Sequence, residues 1–240
     1  ALPRMSGTHP ATTSEVFLGL SIVSSSMLLA LFGFPGLAGV FTMIQILFLT
    51  IFAGRRFLKR SQNPPVGFMF IPVGLLWCLL GSSLSALTGF GVNLAPELEA
   101  LQRVALQQAF LLNLIVGLGS RLIPLLCRVA VTEPFQQKLE SVRTSFFILL
   151  GLNLIFLLEV WLTISQASLL LFFILGFVAI HFFKILKPSQ QRTYLGIGLR
   201  LAVGGILSGF LLLSVLPQYQ LALLHIIFIF AVKFISIFPS

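Results

Sequence analysis

The chain has 240 residues, 58% of them hydrophobic and 9% charged, with a formal net charge of +9. A soluble domain carries about a quarter charged residues, so the composition excludes one and points to an integral membrane protein. The positive balance does not mark a nucleic-acid binder, because the lysines and arginines stand at the ends of apolar runs without a pattern of stacking aromatics. The expected partners are the lipid bilayer and other integral membrane proteins, and no nucleic acid.

Residues 1–14 are polar, with Pro3 and Pro10, and read as a short cytoplasmic tail. Thr12, Thr13 and Ser14 followed by Glu15 supply capping chemistry for a first helix. Apolar runs then occupy 16–33, 37–54, 66–88, 101–127, 144–163, 167–186, 194–216 and 219–236. A helix needs about 20 apolar residues to cross the hydrocarbon core, so the expected fold is an all-α polytopic bundle of about eight spans, forming one transmembrane domain over 15–240.

The first run ends in Gly33-Phe34-Pro35-Gly36, which predicts a tight helical hairpin and is not a signal-peptide cleavage pattern. The chain begins with Ala1 and reads as processed or as a piece of a longer one. Basic residues follow the second run (Arg55, Arg56, Lys59, Arg60), the fourth (Arg128, Lys138, Arg143), the sixth (Lys184, Lys187, Arg192) and the eighth (Lys233), and Arg4 precedes the first. The alternate connections, 34–36, 89–100, 164–166 and 217–218, contain no lysine or arginine. Positive-inside bias places both termini in the cytoplasm, and the location expected is a bacterial inner membrane.

Pro72 in the third run and Pro124 in the fourth predict kinks. The connection 89–100, with Pro96, Glu97 and Glu99, has room for a short amphipathic segment, and 128–143 for a short cytoplasmic helix.

The fourth run is the most polar. At 100° per residue Arg103, Gln107, Gly117, Arg121 and Arg128 share one face. Arg121 lies about two turns inside the cytoplasmic boundary, where a charge must snorkel past Pro124 to the headgroups or face the bundle interior. In the second case it is a counter-charge for an anionic group such as a haem propionate, a lipid phosphate or a substrate carboxylate. It is placed pointing toward the seventh run, with Gly117 allowing close approach. Gly205 and Gly209 of the seventh run have the small-xxx-small spacing of close helix packing.

Glu159, beside the interfacial Trp161, reads as a headgroup-level carboxylate or a proton-relay group. His181 and His225 lie at depths that differ by roughly 12 Å at 1.5 Å per residue, so they are not expected to clasp one haem together. Cys78 and Cys127 also sit at different depths and read as small core residues. No catalytic residue emerges.

The stretch Gln108-Ala109-Phe110-Leu111-Leu112-Asn113-Leu114-Ile115-Val116-Gly117-Leu118-Gly119-Ser120-Arg121-Leu122-Ile123-Pro124 resembles a segment of NnrS-like membrane proteins. Arg200-Leu201-Ala202-Val203 and Ala222-Leu223-Leu224-His225-Ile226-Ile227-Phe228-Ile229 resemble later parts of the same family. The resemblance implies a polytopic bacterial inner-membrane protein with ties to haem, copper and nitric-oxide stress, with Arg121 and His225 as the cofactor-contacting positions. The residues themselves favour a subunit or scaffold of a larger membrane complex. The alternatives are a haem-associated redox protein of the NnrS type and a small-solute permease, whose helix-breaking centre would lie at Pro72 and at Gly117–Pro124.

Overall fold

Thr12 opens the first helix through a reciprocal cap. Its hydroxyl accepts from the Glu15 N–H at 3.3 Å, while the Glu15 carboxylate accepts from the Thr12 N–H at 2.8 Å. Two of the donors that a helix start leaves open are thereby satisfied. The computed structural model describes residues 12–58, 66–126, 139–162, 164–186, 194–220, 222–227 and 229. Among these residues every regular element is a helix, as the apolar runs predict.

Six of the helices are long and apolar enough to cross a membrane: Thr13–Leu31, Pro35–Arg55, Val66–Gly89, Pro96–Ser120, Ile164–His181 and Gly196–Val215. The helix of the expected fifth span has a shorter apolar part, Val142–Leu158. Of the expected eighth span, residues 222–227 are helical and most of the remainder lies outside the described residues, as do 1–11 of the expected tail and 128–138 of the expected inner-loop helix.

The chain folds as two compact units. The first comprises Ala1–Pro64 and Pro72–Phe110, the second Pro65–Ile71 and Leu111–Ser240.

In the first unit, α1 (Thr13–Leu31) and α2 (Pro35–Leu58) form the expected hairpin. Gly33 makes the turn at φ 81°, a left-handed conformation open to a residue without Cβ. Across the hairpin the Ser26 hydroxyl lies 2.9 Å from that of Thr42 and donates to the Ala38 carbonyl at 3.1 Å. The third span opens as a 3₁₀ turn, Val66–Met69, which belongs to the second unit, and continues as α3 (Phe70–Gly89), which belongs to the first from Pro72 onward. Pro72 is therefore the third residue of α3, just after the change from 3₁₀ to α. Where a kink is expected at Pro72, the span changes helix type between Met69 and Phe70. α4 (Pro96–Val104) begins with Pro96 and carries Glu97 and Glu99 in its first turn, a favourable end for acidic groups. The amphipathic segment expected in the loop is thus the opening of the fourth span, which continues through a π turn, Ala105–Ala109.

The second unit holds α5 (Phe110–Leu126), α6 (Leu139–Leu158), α7 (Ile164–His181) and α8 (Tyr194–Val215), with a 3₁₀ turn at Pro217–Tyr219. α7 buries Ala167, Leu171, Leu175 and Val178, and α8 buries Leu199, Ala202, Ile206, Phe210 and Leu213. Both sets recur every three or four residues, so each helix turns one face to the other; the two helices pack together, and α6 packs on α7. In lipid this packing draws on close van der Waals contact and interhelical bonds, since hydrocarbon outside is as apolar as leucine.

Candidate functional site

The second unit places two amides face to face inside apolar helices. Asn113 of α5 is fully buried, and its Nδ2 donates to Asn153 Oδ1 of α6 at 3.0 Å. Asn153 Nδ2 returns a bond to Asn113 Oδ1 at 3.3 Å and also donates to the Leu149 carbonyl of its own helix at 2.7 Å. The reciprocal pair ties α5 to α6 in one register, because a slip of either helix by one residue would strand both amides. Sequence reasoning missed it. The available signal was that each asparagine stands near the middle of its apolar run, hence at similar depth in consecutive spans.

Four residues before α5 reaches Arg121, Gly117 admits the segment that opens α3. A Cβ on Gly117 would stand 2.9 Å from Ile71 Cγ1 and 3.4 Å from Phe70 Cβ. One turn on, Ser120 occupies the space where a side chain at Gly67 would go, and its hydroxyl donates to the Gly117 carbonyl at 2.9 Å. The atoms nearest to a side chain at Gly117 thus belong to Gly67, Phe70 and Ile71.

Of the expected polar stripe, the side chains of Arg103 and Gln107 and the backbone of Gly117 lie within the described residues. Arg103 and Gln107 are exposed whereas Gly117 is buried. The π turn Ala105–Ala109 contains Gln107, and its wider coil departs from the 100° step on which the stripe was counted. Arg121 belongs to α5, and its side chain lies outside the described residues, as does all of Arg128.

His225 is helical and exposed. His181, the last residue of α7, is exposed too and stacks edge-on to Phe177 with ring centroids 4.6 Å apart. Among the described residues no three His, Cys, Asp or Glu side chains form a metal-binding group. Gly209 is buried, and a side chain there would run into Ile227, two residues past His225. Gly205 is half-buried and its carbonyl accepts from Ser208 at 3.1 Å. Of the glycine pair expected to pack closely, Gly209 has its contact in the stretch that holds His225. Glu159 lies just beyond the end of α6, in the turn that carries the exposed Trp161, and its N–H donates to the Ile155 carbonyl at 2.8 Å.

Chemically this arrangement joins helices. Comparison with protein-family models, curated proteins and solved structures finds no match for this chain. The chain is a helical, multi-pass membrane protein by the length and composition of its helices.

Proposed function

We propose that the chain is a structural subunit, or scaffold, of a larger membrane protein assembly, with no catalytic site of its own. The observation that carries this reading is where the polar side chains of the spans spend their bonds. Thr50 donates to Ile46, Ser82 to Cys78, Ser83 to Leu79, Thr88 to Leu84 and Ser214 to Leu211, each to a carbonyl of its own helix. Asn113 and Asn153 join one helix to the next. Hydroxyls and amides satisfied in this way stabilise helices in lipid and leave little with which to bind or transform a solute. Outward faces, by contrast, are long and apolar: α1 buries none of its residues.

In this reading the protein has eight spans with both termini in the cytoplasm, and it resides in a bacterial inner membrane beside other integral proteins. Gentle solubilisation followed by native mass spectrometry tests it. Reproducible co-purification with other membrane proteins supports the proposal, and migration as a lone chain in several mild detergents overturns it. A stoichiometric Soret band in the purified material would replace it with the haem-associated, NnrS-type reading, in which Arg121 and His225 contact the cofactor.

A further inference from the structure

We infer that α2 carries a docking surface for a second copy of this chain, centred on Gln45, and that the two Gln45 amides bond to each other across the contact. The inference goes beyond the scaffold reading, since it concerns copies of this chain alone, and it rests on residues of the first unit. Gln45 is the middle residue of the apolar span Pro35–Arg55, so its amide lies near the centre of the hydrocarbon. The residue is half-buried, and among the described residues its side chain has no hydrogen-bond partner.

The other polar side chains around it are satisfied within the hairpin. Thr42 pairs with Ser26 and donates to the Ala38 carbonyl at 2.9 Å, and Thr50 donates to the Ile46 carbonyl at 2.7 Å. A hydroxyl on Cβ reaches a carbonyl one turn back in its own helix. Such a carbonyl can take one hydrogen of a primary amide, but it offers nothing to the amide oxygen. Nor does α1 supply a partner. A Cβ on Gly19 would stand 3.5 Å from Phe48 Cε1, and this contact and the Ser26–Thr42 pair set the register of the hairpin. Gln45 is thereby at the level of Ile22 and Val23, whose side chains carry no polar atom. In hydrocarbon an amide left in this state is costly, and polar side chains of this kind join membrane helices by bonding across them.

A second copy fits the surface for two reasons. Two copies inserted in the same orientation carry Gln45 at the same depth, so a two-fold axis along the membrane normal sets one amide against the other. An amide is also its own complement: each Nε2 donates to the other Oε1, the reciprocal bond that Asn113 and Asn153 make within one chain. Ile44, Leu47 and Ile51, all exposed, continue the face beside Gln45 at three- and four-residue steps. They supply van der Waals contact around the pair and shield it from lipid.

The test is energy transfer between donor- and acceptor-labelled copies of the full chain in phosphatidylcholine vesicles, over a range of protein-to-lipid ratios. The labels are carried on Asn93→Cys, an exposed position, after Cys78→Ala and Cys127→Ala. The expected result is reversible pairing that Gln45→Leu weakens by roughly five- to tenfold, the loss of two interhelical bonds at the membrane average. Thr50→Leu, in the same helix, removes a hydroxyl bonded within its own chain and is expected to leave the pairing unchanged. If the Gln45→Leu protein loses helicity by circular dichroism, Gln45→Met, which keeps the length of the side chain, provides the readout. Reciprocal bonding further requires that a mixed pair, one copy with Gln45 and one with leucine, already shows the full loss. A mixed pair of intermediate strength would mean that each Gln45 bonds some other group and overturns the amide-to-amide contact. A chain that stays monomeric at every ratio, or equal effects at Gln45 and Thr50, overturns the docking surface.

Discussion

Gly39 of α2 lies against the backbone of Ala86 in α3: a Cβ on Gly39 would stand 2.8 Å from both the nitrogen and the Cα of Ala86. Three residues along each helix, Gly36 and Gly89 meet with similar closeness, and Gly36 also faces the Phe90 ring. Because the opposing atoms are backbone, the neighbour has no side chain to move aside. Gly39→Ala is therefore expected to push the helices apart and destabilise the first unit by about 1–3 kcal/mol, the usual cost of overpacking. Gly54, in the same helix, has open space where its Cβ would be. Gly54→Ala is expected to be neutral or stabilising by up to about 1 kcal/mol through helix propensity. Reversible unfolding in mixed micelles, followed by circular dichroism, checks both; equal effects at the two sites would contradict this account.

Lys184 closes the turn after α7 with φ 49°, a left-handed conformation in a residue that carries a Cβ. The turn lets the Ile185 N–H donate to the Ala179 carbonyl at 3.1 Å, which caps an otherwise open helix end. Left-handed geometry costs a non-glycine residue roughly 1–2 kcal/mol. Both Lys184→Gly and Lys184→Ala remove the lysine side chain, so their difference isolates the backbone term. The glycine variant is expected to be the more stable by about 1 kcal/mol, read from the midpoint of the same unfolding transition. A more stable alanine variant would mean that the turn changes conformation on substitution.

Much of the helical layout was legible because a span is specified by length and apolarity, which a sequence displays directly. The Thr12–Glu15 cap and the hairpin turn at Gly33 were equally visible, since both depend on neighbours in sequence. What escaped was set by backbone pattern and by partners distant in sequence. A constant 100° step along the fourth span does not anticipate the π turn Ala105–Ala109, whose wider coil changes that step. That Ile71 lies against Gly117 could not be read from spacing. Pro72 signalled an irregularity, but spacing did not show that it takes the form of a change of helix type at Met69–Phe70.

The topology makes a labelling prediction. With Cys78 and Cys127 replaced by alanine, a cysteine placed at Gln62 or Gln136 is expected to react with an impermeant maleimide only from the cytoplasmic side. One placed at Asn93 or Gln218, both exposed residues beyond helix ends, is expected to react only from the opposite side. The sign follows from the basic residues that flank 62 and 136 and are missing from the connections containing 93 and 218. Reversal at two sites would invert the orientation. Residues on both sides of one span reacting from the same face would change the span count.

The amide pair in the second unit is expected to show coupling that a double-mutant cycle can measure. Replacing only Asn113 with leucine leaves Asn153 without its interhelical partner, although its bond to the Leu149 carbonyl remains. Replacing only Asn153 leaves the fully buried Asn113 amide without that partner. Either single change is expected to cost about 1–3 kcal/mol, the range for a buried polar group that loses its bond. The double replacement removes both groups together, so its cost should fall short of the sum. Interhelical bonds in membranes contribute on average about 0.6 kcal/mol and at most about 1.7 kcal/mol, and the coupling should fall within that range. Asn153→Leu should be the costlier single change, because it takes the interhelical bonds from the fully buried Asn113, whereas Asn113→Leu leaves Asn153 its bond to the Leu149 carbonyl. Unfolding free energies of the four proteins in mixed micelles decide the matter: strictly additive losses would mean that the two amides do not hold α5 and α6 together.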